Sequence, residues 1–195
     1  KPTVEQLKAG NYDTIITAIG SKPIKLKIPG LEKINHVSAT ELLTNPELLK
    51  DKKSILIIGG GVVGCETAHW LAYEHNLQVT VVEMQPHFMS GVCTANRGYL
   101  LHYLQKKPVE LINCAKVEHC DEHSVHIKVN ISKHVPNPYN TWQPILPSNI
   151  INPLAKPLGS LTTTRIIPTD LVVIAAGETS NDELYDTLIK QQAAK

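Results

Sequence analysis

Two kinds of apolar run stand out along this chain. Ser54–Ile58 (SILII) and residues 171–176 (LVVIAA) are apolar without polar alternation. Runs of that kind suit parallel strands covered on both faces. Residues 78–83 (QVTVVE) and 109–113 read as further strands of the same sheet. Residues 62–75 space Val63, Thr67, Trp70 and Leu71 at helical intervals, and Thr94–Lys106 reads as a second long helix. Residues 117–120 and 125–130 alternate apolar with polar, which predicts an antiparallel ribbon with one wet face, and residues 162–167 return to it. Residues 12–19 (YDTIITAI) read as a short buried strand ending at Gly20. Residues 21–30, with two prolines, read as an extended linker. Residues 38–49 read as a helix capped by Ser38 or Thr40 and broken near Pro46, and residues 182–190 as a short helix. Residues 135–157, rich in Pro and Asn and poor in periodicity, read as a long irregular excursion inside the ribbon. No solenoid-type repeat is visible.

Composition narrows the function without choosing it. A chain of 195 residues is long enough for one sizeable domain plus extras. Its formal net charge of +1 argues against a nucleic-acid surface. The apolar runs are strand-sized, and the opening residues lack the basic-then-apolar pattern of a signal peptide. Cys65, Cys93, Cys114 and Cys120 form no C-x-x-C pair, which suits reduced thiols. A cytoplasmic location without membrane contact is therefore expected. Lys1 at the start and QQAAK at the end lead us to expect an excised part of a longer protein.

The candidate chemistry lies in GGGVVGCE, residues 59–66. A strand, a glycine turn, a helix and a second strand within about thirty residues make one βαβ unit. Gly59-x-Gly61-x-x-Gly64 fits the dinucleotide fingerprint. Gly59 would allow the tight turn, Gly61 would let backbone N–H groups approach a pyrophosphate, and Gly64 would let helix pack on strand. The helix N-terminus adds partial positive charge there. Glu83 ends the next strand and would accept hydrogen bonds from the adenosine ribose while repelling a 2′-phosphate. Met84 and the residues after it supply no early Arg or Lys, so NAD(H) is expected over NADP. The candidate contacts are Gly59, Gly60, Gly61, Val62, Val63, Gly64, Glu83 and Met84. Glu66 has a competing role as a carboxylate stabilising the helix start.

Two segments, YDTIITAIGSKP and DLVVIAAGETSND, bracket this unit with the same pattern of strand, small residue, glycine and polar turn. The chain thereby resembles the pyridine nucleotide-disulfide reductase group of flavoproteins, in which an NAD(P) domain is inserted into an FAD domain. GGGVVGCETA, VTVVEM and VPNPYNTWQPILPSNIINPLAK (residues 135–156) more closely resemble the C-terminal part of the 2-enoate and 2,4-dienoyl-CoA reductases. These are iron–sulfur flavoenzymes of the NADH:flavin oxidoreductase type with a barrel like old yellow enzyme. The resemblance implies a Rossmann-like three-layer α/β fold with a mostly parallel sheet and an antiparallel ribbon. It implies residues 1–50 as the FAD-domain end segment and linker, 51–177 as the NAD(P) domain with its excursion at 131–160, and 178–195 as the return. NADH would deliver hydride to FAD, and FMN and an iron–sulfur cluster would serve an activated C=C bond in the parent enzyme, mainly outside this chain. Glu66 would lie near the nicotinamide, Lys116 and Val117 near the adenine, and Ala176 and Gly177 at the nicotinamide pocket. No catalytic residue is expected in the chain itself, and binding without turnover is expected of it alone. The FAD domain and substrate barrel of the parent would be its partners.

Other features carry competing readings. His119, Cys120, His123 and His126 have zinc-ligand chemistry. Strand alternation would send His119 and His123 to one face and Cys120 and His126 to the other, so no metal is expected. Cys65 lies where a helix dipole could activate a thiol, but a plain buried side chain is the expectation. Trp142 and Tyr139 are candidates for an interface with the barrel. A non-enzymatic NAD sensor and an S-adenosylmethionine-dependent methyltransferase remain as alternative function classes.

Overall fold

The computed structural model describes residues 2–142, 150, 152–153 and 156–191. They divide into a smaller unit, within residues 1–24 and 178–195, and a larger one spanning Lys25–Gly177. In the smaller unit α1 (Val4–Ala9) starts on a Thr3–Gln6 capping box, and β1 (Ser21–Pro23) follows. The larger unit runs β2 (His36–Ser38), α2 (Ala39–Thr44), β3 (Ser54–Ile58), α3 (Val62–Tyr73), β4 (Gln78–Val82), α4 (Thr94–Lys106), β5 (Glu110–Ile112), β6 (Ala115–Cys120), β7 (Ser124–Asn130), β8 (Thr162–Pro168) and β9 (Leu171–Ile174). Then β10 (Glu178–Ser180) and α5 (Glu183–Lys190) complete the smaller unit.

The larger unit has three layers. Its middle layer is a parallel sheet in the order β2-β9-β3-β4-β5. Successive side chains of a strand point to opposite faces. Ile55, Ile57, Val79, Val81, Leu171 and Val173 face a core shared with Ala68 and Leu71 of α3 and Leu101 and Leu104 of α4. Leu56, Val82 and Val172 face a second core shared with Val117, Ile127 and Ile167 of the antiparallel ribbon β6-β7-β8. Burial on both faces is why these strands read as unbroken apolar runs. Ser38 caps α2 by accepting the Glu41 N–H at 3.1 Å, and a short 3-10 turn at Pro46–Leu49 follows the expected break. Asp170 ties the start of β9 to β3, its Oδ2 accepting the N–H groups of Lys53 at 2.8 Å and Ser54 at 2.9 Å. Among the described residues no helix is long and apolar enough to cross a membrane.

At four places the structure departs from the local expectations or adds to them. Residues 12–19 are not a strand, and Ile16 is 87 % exposed. No described strand pairs with them, and an apolar run becomes a strand only when a neighbour takes its backbone hydrogen bonds. The smaller unit's strand is instead β1, within the expected linker, paired antiparallel with β10 (Ser21↔Ser180). Second, His36–Ser38 and Ala39–Thr44 supply the larger unit with an edge strand beside β9 and a helix. Third, the β6–β7 ladder shifts register between Val117 and His119, so His119 lies opposite His126 rather than on the other face. A bulge adds one residue to one strand and resets its alternation. Fourth, Tyr139 is not held out for a partner. Its hydroxyl donates to Val109 O at 2.7 Å and accepts the Leu111 N–H at 3.1 Å, covering the open edge at β5. Trp142 is 65 % exposed. The described parts of the excursion are irregular, and residues 143–149, 151 and 154–155 lie outside the described residues.

Candidate cofactor site

The site is built at the carboxyl ends of β3, β4 and β9, because the glycine turn is bonded to both neighbouring strands. Gly59 N–H donates to Val82 O at 2.9 Å, and Ala175 N–H donates to Ile58 O at 2.9 Å. Gly59 has φ 113°, a left-handed value that costs any residue with a Cβ, and a Cβ there would strike the Ala175 carbonyl. Gly64 is buried against the Gly59 carbonyl oxygen, which leaves no room for a side chain. At Gly59 and Gly64 the turn and the helix can therefore pack only as glycines.

The start of α3 is open. Gly61 is the N-cap, with φ −71° and ψ −170°, and no side chain caps the helix. Cys65 N–H closes the first helical bond onto Gly61 O at 3.1 Å. The N–H groups of Val62, Val63 and Gly64 thus have no intrahelical acceptor. A Cβ at Gly61 would meet nothing within 4 Å. That cradle fits a diphosphate, since bare amides and the helix dipole meet there with space in front of them.

Glu83 sits across from this opening and is already engaged. Its Oε2 accepts the Gly60 N–H at 2.6 Å and its Oε1 accepts the Gln85 N–H at 2.7 Å. A carboxylate offers about four acceptor positions, so capacity for two ribose hydroxyls remains. The Glu83 backbone joins the sheet to the ribbon, donating to Ile112 O at 2.8 Å and accepting the Ala115 N–H at 2.9 Å. Met84 is exposed beside it.

Beneath the turn lies a support that the residue pattern did not announce. The fully buried Phe88 ring lies against Gly60, and Met89 N–H donates to Gly60 O at 2.8 Å. Buried Arg97 donates from Nε to Phe88 O at 2.9 Å, while its Nη1 has no protein partner. Burial lowers the guanidinium's pKa, and burial together with that guanidinium lowers the pKa of His87. Asn113 donates to Pro86 O at 2.6 Å and Pro136 O at 2.9 Å, tying the excursion to this loop. One signal for Arg97 existed, because it shares the helical stripe of Leu100, Leu101 and Leu104. Cys65, fully buried with Sγ 3.5 Å from Gly60 O, has its thiol pushed up to about 12, first by burial and then by Glu83. It is a packed thiol and not an activated one.

The remaining expected residues divide. Gly59 to Gly64, Glu83 and Met84 gather around the opening. Ala176 and Gly177 follow Ala175, whose carbonyl lies beside Gly59. Lys116 is exposed one residue after Ala115, at the ribbon end nearest Glu83. Val117 turns its side chain into the ribbon–sheet core, and Glu66 is exposed on α3.

Comparison with known proteins agrees with this architecture. The profile of the family described as pyridine nucleotide-disulphide oxidoreductase matches residues 2–194. A cinnamate reductase from Clostridium sporogenes is 34 % identical over 110 residues, 55 % of this chain and 16 % of that protein. An NADH oxidase from Thermoanaerobacter brockii is 42 % identical over 82 residues, 41 % of this chain and 12 % of that protein. The chain thus spans less than a fifth of either relative. A 2-naphthoyl-CoA reductase structure shares the fold, with a TM-score of 0.68 at 20 % identity over 100 % of this chain and 24 % of that one.

Proposed function

The chain belongs to the pyridine nucleotide-disulphide oxidoreductase family, and from that premise we propose that its larger unit is the NADH-binding domain of a flavin-dependent oxidoreductase. The observation that carries the reading is the uncapped N-terminus of α3, with open space at Gly61, facing Glu83 at the end of the next strand. When bound, NADH would supply hydride to an FAD held mainly outside this chain. This chain's residues would bind and orient. The Val62, Val63 and Gly64 N–H groups would hold the diphosphate, and Glu83 the adenosine ribose. Lys116 would flank the adenine, with Glu66, Ala176 and Gly177 towards the nicotinamide. Holding one half of the cofactor rigidly aligns the other, which is how positioning lowers a barrier.

The parent enzyme, in this reading, reduces an activated C=C bond of the enoate or enoyl-CoA type with FMN and an iron–sulfur cluster. The resemblance of the turn, the β4 segment and the excursion supports it, as does similarity to a protein named cinnamate reductase. The 1–50, 51–177 and 178–195 division into FAD-domain and NAD(P)-domain parts belongs to the same proposal. Family membership removes the ground for a methyltransferase.

Calorimetric titration with NADH and NADPH, on wild type and Gly61→Ala, tests the binding claim. Space and φ at Gly61 accept a methyl group, so the variant should keep its fold and lose at least about tenfold in NADH affinity, or 1.4 kcal/mol. NADPH should bind wild type more weakly because Glu83 faces its 2′-phosphate. A folded wild type that binds neither nucleotide, or a Gly61→Ala variant that binds NADH undiminished, would overturn the assignment.

A further inference from the structure

The bulge in β6 creates a second cluster of donor groups, away from the glycine turn. The register shift pairs His119 with His126 and Cys120 with Val125. The two imidazole rings stack with centroids 3.9 Å apart and planes 21° from parallel. Asp121, at the start of the hairpin turn, places Oδ2 2.6 Å from His126 Nε2. One donor atom from each of His119, Asp121 and His126 lies within 4.8 Å of the others. Cys120 takes no part, since its side chain is buried in the core between sheet and ribbon.

We propose that His119, Asp121 and His126 form a binding site for a divalent late first-row transition cation of the zinc type, with water as the fourth ligand. Two imidazole nitrogens and a carboxylate oxygen are a zinc donor set. In a tetrahedral site with bonds of about 2.0–2.1 Å, donors stand about 3.3 Å apart. The 2.6 Å His126–Asp121 contact must open, and any separation nearer the 4.8 Å limit must close. Both are side-chain rotations. The stacked rings turn about χ2 so that their lone pairs converge, while the paired strands keep the two Cα atoms in place. The cation then replaces the His126–Asp121 hydrogen bond, bound through an unprotonated imidazole nitrogen and the carboxylate. Two strands and their turn become cross-linked.

The site is separate from the cofactor site. β6 begins beside Glu83, where Ala115 donates to the Glu83 carbonyl, and ends at the Asp121 turn. Its test is therefore independent of the nucleotide proposal. Nucleotide-free chain is titrated with ZnCl2 by calorimetry, beside His119→Gln, His126→Gln and Asp121→Asn. His123→Gln is the control, an exposed histidine of the same turn outside the cluster. Far-UV circular dichroism checks the fold of each variant. One saturable zinc per chain is expected, with affinity lowered at least about tenfold by any folded cluster variant and unchanged by His123→Gln. Co2+ should give the visible absorption of a four-coordinate site. No saturable zinc binding, or an equal loss in the His123→Gln control, overturns the proposal. Should one cluster variant fail to fold, the other two still decide.

Discussion

Glu83 holds its own turn together before any nucleotide arrives, and its removal should cost stability in the unliganded protein. Two charge-assisted hydrogen bonds are lost in Glu83→Ala, from Gly60 N–H at 2.6 Å and Gln85 N–H at 2.7 Å. They do not count equally. Gln85 is exposed, so water replaces its bond at little cost. Gly60 is buried under Phe88, and its N–H would be left without an acceptor. A buried donor stripped of a charged partner costs about 2–3 kcal/mol. Urea unfolding followed by circular dichroism, without nucleotide, should show that loss. With an m-value of about 2 kcal/mol/M, the midpoint falls by about 1–1.5 M. In Glu83→Gln the amide oxygen can still accept the Gly60 N–H, so only about 1 kcal/mol should be lost. If Glu83→Ala matches wild type within about 0.5 kcal/mol, the carboxylate does not anchor the turn and the argument fails.

Two further outcomes are expected. At about pH 8, where an ordinary thiol is partly ionised, iodoacetamide should label exposed Cys93 first and leave Cys65 unmodified until the protein unfolds, as read by mass spectrometry; early labelling of Cys65 would contradict its packed, protonated state. Asp170 is held below its ordinary 3.8 by the Lys53 and Ser54 N–H groups, so its stabilisation is complete above that value and is lost as pH falls through the depressed folded-state value. Asp170→Asn should therefore melt lower than wild type at neutral pH, with the gap closing in acid. A gap that does not narrow at all as pH falls below 3.8 would assign the effect to something other than this carboxylate's charge.

Legibility followed the range of the interaction. Thr94–Lys106 and β3 were readable to their end residues, and α3 and β4 nearly so, because a strand covered on both faces and a helix whose buried positions recur every three or four residues write their periods into the chain. The glycine spacing was readable because only glycine fits φ 113° at Gly59 and the contact at Gly64. Residues 12–19 misled, since a strand-like composition carries no information about whether a partner strand exists. Phe88 and Arg97 were passed over because a loop residue and a lone cation reveal their burial only once α4 packs over the turn.

By itself, then, the order of residues determined the βαβ unit and the identity of the open turn, both of which rest on local periodicity and on steric limits at single residues. Tertiary structure alone decided that Glu83 clamps Gly60, that Tyr139 covers the edge at β5, and that His119 stacks on His126. Each depends on a register, a bulge or a loop return between distant residues. Such pairings are set by the balance of packing over the whole core, which no short window of sequence contains.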